Sequence, residues 1–324
     1  MMRLKIFALL GVAVVLTGSI HAATFAENFT SSPMANGWQP FGNASLFAWD
    51  STNQNLHVTW DSAQTNSYLY RPLGTILTRA DSFSASFDLT FEDYEAGVNP
   101  SKTGAAPVAL GFFNLAEATR TNFFRGVGQN ATYGARSLVE FNFFPPFEIF
   151  EPTIAQAVVS TNALWLYNHS NLLPMPPGQT FRVTMNYSNA TLTTTVTNNG
   201  VKYGVTQIIS VPTTRDFRCD VFSISCYTDA NSTSSLLAHG CVDNLVLTLP
   251  PPPIQSMTGG FNGSSWRVQF VSQTNWLYTL ERTTNFTAWS NVGSTQPGNN
   301  ATLSLTDPLP PASQAAYRVR AEGP

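Results

Sequence analysis

Apolar residues return at every second position through most of this chain, and that rhythm confines it to sheet structure. Phe83, Ala85, Phe87, Leu89 and Phe91 alternate with Ser84, Ser86, Asp88, Thr90 and Glu92, which makes one face of the segment buried and the other wet. The same period marks 56–60, 108–112, 139–143, Leu164 with Leu166, 181–185 and 222–226, and no window sustains a helical period. Turn residues punctuate the runs, as in Asn198-Asn199-Gly200 and Pro174-Met175-Pro176-Pro177-Gly178. Many short strands separated by such turns predict an all-β protein built as an antiparallel sandwich.

Charged residues make up only 11% of the 324, with a net charge of −3, so the surface must be wetted by neutral Thr, Ser, Asn and Gln. A chain with no basic excess cannot neutralise a phosphate backbone, which excludes nucleic acid as a partner. With 43% apolar and 12% aromatic residues, burial outweighs the entropy of ordering and disorder is excluded as well. Residues 1–23 read as a secretory signal peptide. Arg3 and Lys5 lead an apolar run at 6–17 that is too short to span a bilayer, and the small residues Gly18, Ser19, Ala22 and Ala23 follow. The expected destination is extracellular or the cell surface. No later stretch reaches the length of a membrane helix, so no membrane span is expected in the mature protein.

The prolines at 250–253 cannot join a ladder and favour an extended spacer, which predicts a linker at 250–255 between domains at 24–249 and 256–324. The strand pattern recurs in miniature beyond it, at Trp266, Val268 and Phe270, at Trp276, Tyr278 and Leu280, at Leu303 and Leu305, and at Tyr317 and Val319. A second, smaller β-sandwich is the expectation.

Three segments carry a resemblance: Phe25-Ala26-Glu27-Asn28-Phe29, Phe83-Ser84-Ala85-Ser86-Phe87-Asp88-Leu89 and Gly240-Cys241-Val242-Asp243-Asn244-Leu245-Val246-Leu247. They resemble the first, middle and last strands of concanavalin A-like (laminin-G-like) jelly rolls, which implies a jelly-roll sandwich for 24–249. The tail, with Tyr278-Thr279-Leu280-Glu281-Arg282-Thr283-Thr284-Asn285-Phe286 and Ala316-Tyr317-Arg318-Val319-Arg320, is similar to the small fibronectin-III-like modules that end secreted bacterial proteins.

The jelly-roll superfamily includes glucanases whose catalytic strand alternates two carboxylates, and retaining hydrolysis needs those groups about 5–5.5 Å apart. Here the matching strand reads Leu138-Val139-Glu140-Phe141-Asn142-Phe143-Phe144, so an amide stands where the second acid belongs. Glu148 and Glu151 lie beyond Pro145 and Pro146. His57, His169 and His239 are far apart in sequence and in no metal-ligand spacing, and nucleophile elbows, phosphate loops and Cys-x-x-Cys are missing. The pattern favours a non-catalytic carbohydrate-binding (lectin-like) or adhesion protein whose partner is a polysaccharide or cell-surface glycan. The alternatives are a structural matrix protein of the cell surface and a divergent glycoside hydrolase.

Sugar sites set flat rings beside hydrogen-bonding side chains on a rigid sheet. Alternation places Trp165 and Tyr167 on the same kind of polar face as Glu140 and Asn142, with Leu164 and Leu166 turned to the core, and Arg125 and Asn114 are candidates to join them. The competing reading is that these aromatics are core. The jelly-roll resemblance further implies a structural calcium between Glu27 and Asp243; otherwise Asp243 and Asn244 bond loop backbone, and no other cofactor is expected. If 228–239 connects an antiparallel hairpin, Cys226 and Cys241 fall opposite one another and can form a disulfide, with Cys219 left over; the alternative is three buried thiols.

Overall fold

The structure is a computed structural model that describes residues 22–125, 134–171, 173–228, 233–274, 276–312 and 314–323. The expected signal peptide therefore lies almost wholly outside the described residues. The chain divides into two compact units, one of Thr24–Pro250 and one containing Pro251–Pro324. Among the described residues no helix is long and apolar enough to cross a membrane.

The first eight strands are β1 (Ala23–Glu27), β2 (Gln39–Phe41), β3 (Phe47–Asp50), β4 (Asn55–Asp61), β5 (Ser67–Leu77), β6 (Phe83–Ala96), β7 (Gly104–Ala105) and β8 (Val108–Phe113). After a one-turn helix α1 (Leu115–Ala118) come β9 (Leu138–Phe144), β10 (Thr153–Val159), β11 (Trp165–Asn171), β12 (Thr180–Ser188), β13 (Thr191–Asn198), β14 (Val201–Ser210), β15 (Cys219–Cys226) and β16 (Ser234–Leu249). They form a nine-stranded sheet in the order β14-β13-β12-β6-β16-β4-β3, with β1 and β7 on β16, and a seven-stranded sheet in the order β11-β10-β9-β8-β15-β5-β2. Neighbours in sequence repeatedly sit in different sheets, as in a jelly-roll sandwich.

The alternating apolar set of β6 forms the floor of the core. Phe83, Phe87 and Phe91 project from the nine-stranded sheet and meet Phe112, Phe141 and Phe143 of the other sheet with ring centroids 5.0, 5.9 and 5.0 Å apart. The Asn198-Asn199-Gly200 turn joins β13 to β14 with φ of 49° and 76° at its last two residues, the left-handed pair that a tight hairpin requires and that Asn and Gly tolerate. One expectation about the core fails. Leu164 precedes β11, the edge strand, and is 40% exposed, so it does not join the core.

The smaller unit holds β17 (Gln255–Asn262), β18 (Ser265–Val271), β19 (Leu277–Thr283), β20 (Ser290–Pro297), β21 (Thr302–Asp307) and β22 (Ala316–Glu322). Two three-stranded sheets result, β17-β18-β21 and β20-β19-β22. Trp266 stacks on Tyr317 at 3.8 Å and 7°, and Val268, Phe270, Tyr278, Leu280 and Leu305 are buried, so the period-two reading of this segment describes its core. Asp307 accepts from Tyr317 Oη at 2.8 Å, Arg282 Nη1 at 2.7 Å and the Leu309 amide at 3.0 Å.

That arrangement sets a pH window. Burial by itself raises the Asp307 carboxyl, but the hydrogen bonds from Tyr317, Leu309 and Arg282 outweigh it and hold the group below its ordinary value. Burial and the adjacent Asp307 push the Tyr317 phenol up to about 12. A lowered carboxyl stabilises the fold above the unfolded value near 3.8 and loses that contribution as pH falls through the folded value. A raised phenol stabilises below the unfolded value of 10.0 and loses its contribution as pH climbs toward about 12. Thermal melting followed by tryptophan fluorescence should show a plateau between these limits, with Asp307→Asn flattening the acid limb and Tyr317→Phe the alkaline one.

Candidate ligand-binding face

The inner face of the seven-stranded sheet carries Phe112, Val139, Phe141, Phe143 and Phe222, so alternate residues stand on its outer face. Register fixes three rows there. One runs Tyr167, Ala157, Glu140, Gly111, Ser223, Tyr70 and Gln39; the next runs His169, Ala155, Asn142, Ala109, Ser225, Tyr68 and Phe41. A third holds Trp165, Val159, Leu138, Phe113 and Val221. Glu140, Asn142, Trp165 and Tyr167 thus share one face, as the alternation predicts.

That face is not an open groove at its centre. The described parts of the β8–β9 connection lie over it: Ala118, Phe123 and Ala135 join Tyr68, Ala109, Phe113, Leu138, Ala157, Val159, Val221 and Tyr227 in a second hydrophobic cluster, with Trp165, Tyr70, Phe41 and Leu115 packed at its margin. Glu140 is 1% exposed, Asn142 0% and Arg125 4%. The expectation that Glu140 and Asn142 face solvent is corrected here, because the covering segment closes the outer side of the strand and supplies Arg125 as the counter-charge that lets Glu140 be buried.

The cover brings Arg125 down onto the sheet. Its Nε and Nη2 donate to Glu140 Oε2 at 3.1 and 2.6 Å, and Nη2 also donates to Asn142 Oδ1 at 2.5 Å. Asn142 Nδ2 donates to Glu140 Oε2 at 2.9 Å, and Tyr227 Oη donates to Oε1 at 2.8 Å. The guanidinium lies 5.4 Å from the Trp165 ring centroid and 5.5 Å from that of Tyr227. Burial, with the Glu140 charge beside it, pushes the Tyr227 phenol well above its ordinary value, so it stays a donor. Both Glu140 oxygens accept hydrogen bonds within this cluster, and the neighbouring position on the same strand face, Asn142, is an amide.

Asn114 plays another part. Its Oδ1 accepts from the Glu117 amide and caps α1, and Nδ2 donates to the Arg218 carbonyl at 3.1 Å, anchoring the start of the cover to the segment leading into β15. Glu27 is also accounted for. Its oxygens accept from the Phe29 amide at 2.9 Å, Asn36 Nδ2 at 3.0 and 3.2 Å and Trp38 Nε1 at 3.2 Å, so N–H donors occupy the lone pairs that a calcium ion needs. Asp243 accepts from the Asn244 amide and side chain at 2.6 and 3.3 Å. These residues do not fit calcium.

Cys226 and Cys241 do not face one another. β15 lies between β8 and β5, whereas β16 lies between β6 and β4 in the other sheet. The connection crosses from sheet to sheet instead of closing a hairpin, so equal distance from its centre gives no cross-strand pair. Cys226 Sγ contacts the Thr59 carbonyl at 3.2 Å, Cys219 is buried, and all three thiols are free.

The outer face stays open at its β2–β5 end. Phe41 stacks on Tyr68 at 5.5 Å and 13°, and beside it lies a cleft of about 570 Å³ lined by Thr65, Asn66, Arg120, Asn122, Phe123 and Thr228 among others. Asn66 holds its rim, donating to the Phe123 carbonyl at 3.4 Å and accepting from the Thr228 amide at 2.9 Å. Sequence reasoning missed Phe41, Asn66, Tyr68 and Tyr227; the only signal was Tyr68 and Tyr70 flanking Leu69 on a strand.

No family model matches the chain, and no curated protein matches it significantly. Among solved structures it is similar to the peanut lectin with a 9mer peptide (18% identity, 71% of this chain and 98% of that one, TM-score 0.44). It is also similar to a seed lectin of Lotus tetragonolobus (12% identity, 71% and 100% covered, TM-score 0.46). The exoplasmic/lumenal domain of VIP36 in its Ca²⁺-bound form aligns at 11% identity over 70% of this chain and 89% of that one, with a TM-score of 0.43. Nothing about a ligand follows from likenesses at these scores.

Proposed function

We propose that this is an exported, non-catalytic carbohydrate-binding protein that takes a neutral glycan at the open end of the outer sheet face. The carrying observation is the cleft beside Phe41, where a ring supported by Tyr68 stands next to the neutral hydrogen-bonding side chains of Thr65, Asn66, Asn122 and Thr228. An apolar ring face with a few convergent polar groups suits the C–H faces and hydroxyls of a pyranose, and the volume fits an oligosaccharide segment. On this reading the buried Glu140 does no chemistry and holds the covering segment through Arg125. Tyr167, 37% exposed, and His169 with ring centroids 5.8 Å apart give the opposite end of the same face a lesser stacking surface. Export rests on the leader at 1–23, and the smaller unit serves as a fibronectin-III-like accessory module.

A glycan array combined with a reducing-sugar assay tests this reading. Saturable binding without sugar release is expected, and Phe41→Ala should weaken it by about 1–3 kcal/mol, roughly 5- to 150-fold in Kd, by analogy with other ring-stacking sites. Sugar release by the pure protein, or binding indifferent to Phe41→Ala and Asn122→Ala alike, overturns it. The matrix alternative draws on one observation: strand β14 exposes the apolar side chains of Val201 (70%), Val205 (70%) and Ile208 (56%). Self-association with no retained glycan would favour it.

A further inference from the structure

We propose that the outer face of the nine-stranded sheet, in the opposite sheet to the ligand-binding face, carries a site for a borderline-soft divalent cation such as Zn²⁺, built from His57, Glu92 and Cys241. The three come from β4, β6 and β16, adjacent strands of one sheet. Cys241 sits directly opposite His57 in the β16–β4 ladder, and its Sγ is 3.5 Å from the imidazole nitrogens. Glu92 Oε1 lies 3.0 Å from His57 Nδ1 and 3.8 Å from Cys241 Sγ. With metal–ligand bonds of about 2.0–2.3 Å, two ligand atoms of a tetrahedral site stand roughly 3.3–3.7 Å apart; the Cys241–His57 separation falls in that range, and the 3.0 and 3.8 Å separations flank it, so a rotation of the exposed Glu92 side chain completes the set.

The backbone departs from regularity to make this set. In the β16–β6 ladder His239 pairs with Asp93 but Gly240 pairs with Phe91, so Glu92 is the extra residue of a β-bulge. The strict alternation of β6 ends there, and Glu92 and Asp93 are both exposed on the same face. Gly240 permits the bulge: a Cβ there would lie 2.3 Å from the Thr90 carbonyl oxygen. Asp50 Oδ2 lies 3.6 Å from His57 Nε2, on the side away from Glu92, where a carboxylate orients a ligating imidazole. A thiolate, an imidazole and one carboxylate suit Zn²⁺ or Co²⁺; Ca²⁺ and Mg²⁺ want oxygen alone. His57 and Glu92 side chains are 38% and 51% exposed, so a cation reaches them without unfolding and water can complete the sphere.

Co²⁺ titration of the purified full chain, followed by absorption and equilibrium dialysis, tests the site. One Co²⁺ per chain is expected, with tetrahedral d–d bands, a near-ultraviolet thiolate-to-cobalt charge-transfer band and displacement of both by Zn²⁺. Cys219 and Cys226 are buried and cannot supply that band. Cys241→Ser should abolish it, and Asp50→Asn should keep it while weakening binding roughly 10- to 100-fold. A native chain that binds no Co²⁺, or a band that survives Cys241→Ser, overturns the proposal. Should Cys241→Ser fail to fold, His57→Gln carries the same test: weakening by roughly 100-fold or more supports the site, and unchanged affinity refutes it.

Discussion

Arg125→Met is expected to destabilise the larger unit by about 3–5 kcal/mol, because it strands the Glu140 carboxylate in a buried site with its counter-charge removed. For a unit of this size that corresponds to a fall in Tm of roughly 6–20 °C. Glu140 keeps Asn142 Nδ2 and Tyr227 Oη as donors, which moderates the loss but cannot replace a cation at 2.6 Å. The pair itself contributes less than its breakage costs, since both ions had to leave water to form it. The double variant Arg125→Met/Glu140→Leu should therefore recover most of the lost stability. Chemical denaturation of the two singles and the double completes the cycle. A single variant within about 0.5 kcal/mol of the native chain would show that water reaches the pair.

This buried cluster marks where the sequence stops being legible. Alternation named Glu140, Asn142, Trp165 and Tyr167 as one face, and the register agrees, because side-chain direction on a strand follows from period two alone. Whether a face is wet depends on what lies over it. The cover comes from residues beyond the strand, Ala118, Phe123 and Arg125, whose approach no local period encodes. The cysteine pairing failed for a related reason: distance along a connection says nothing about which sheet the next strand joins. The histidines show the same limit from the other side. His57, Glu92 and Cys241 are unremarkable in sequence spacing and meet only because β4, β16 and β6 are neighbours in one sheet and a bulge turns Glu92 outward.

Phe87→Ala should cost about 3–5 kcal/mol, as large as any single apolar truncation in the molecule, whereas Thr90→Ala, three positions along the same strand, should stay within about 0.5 kcal/mol. Phe87 is fully buried and meets Phe141 edge-on at 5.9 Å and Phe222 at 6.4 Å, both from the opposite sheet. Removing its ring takes away the inter-sheet contact at the middle of β6, and the rings around it are held by two ladders, so they cannot close the gap. Thr90 stands on the other face, where its hydroxyl meets that of Thr180 at 2.8 Å in contact with solvent. Urea denaturation of the two variants, monitored by tryptophan fluorescence, separates them. Equal losses would mean that the two faces of β6 are buried alike and that its alternation does not report the core, while a gap of several kcal/mol ties the stability of the sandwich to the same period that predicts its fold.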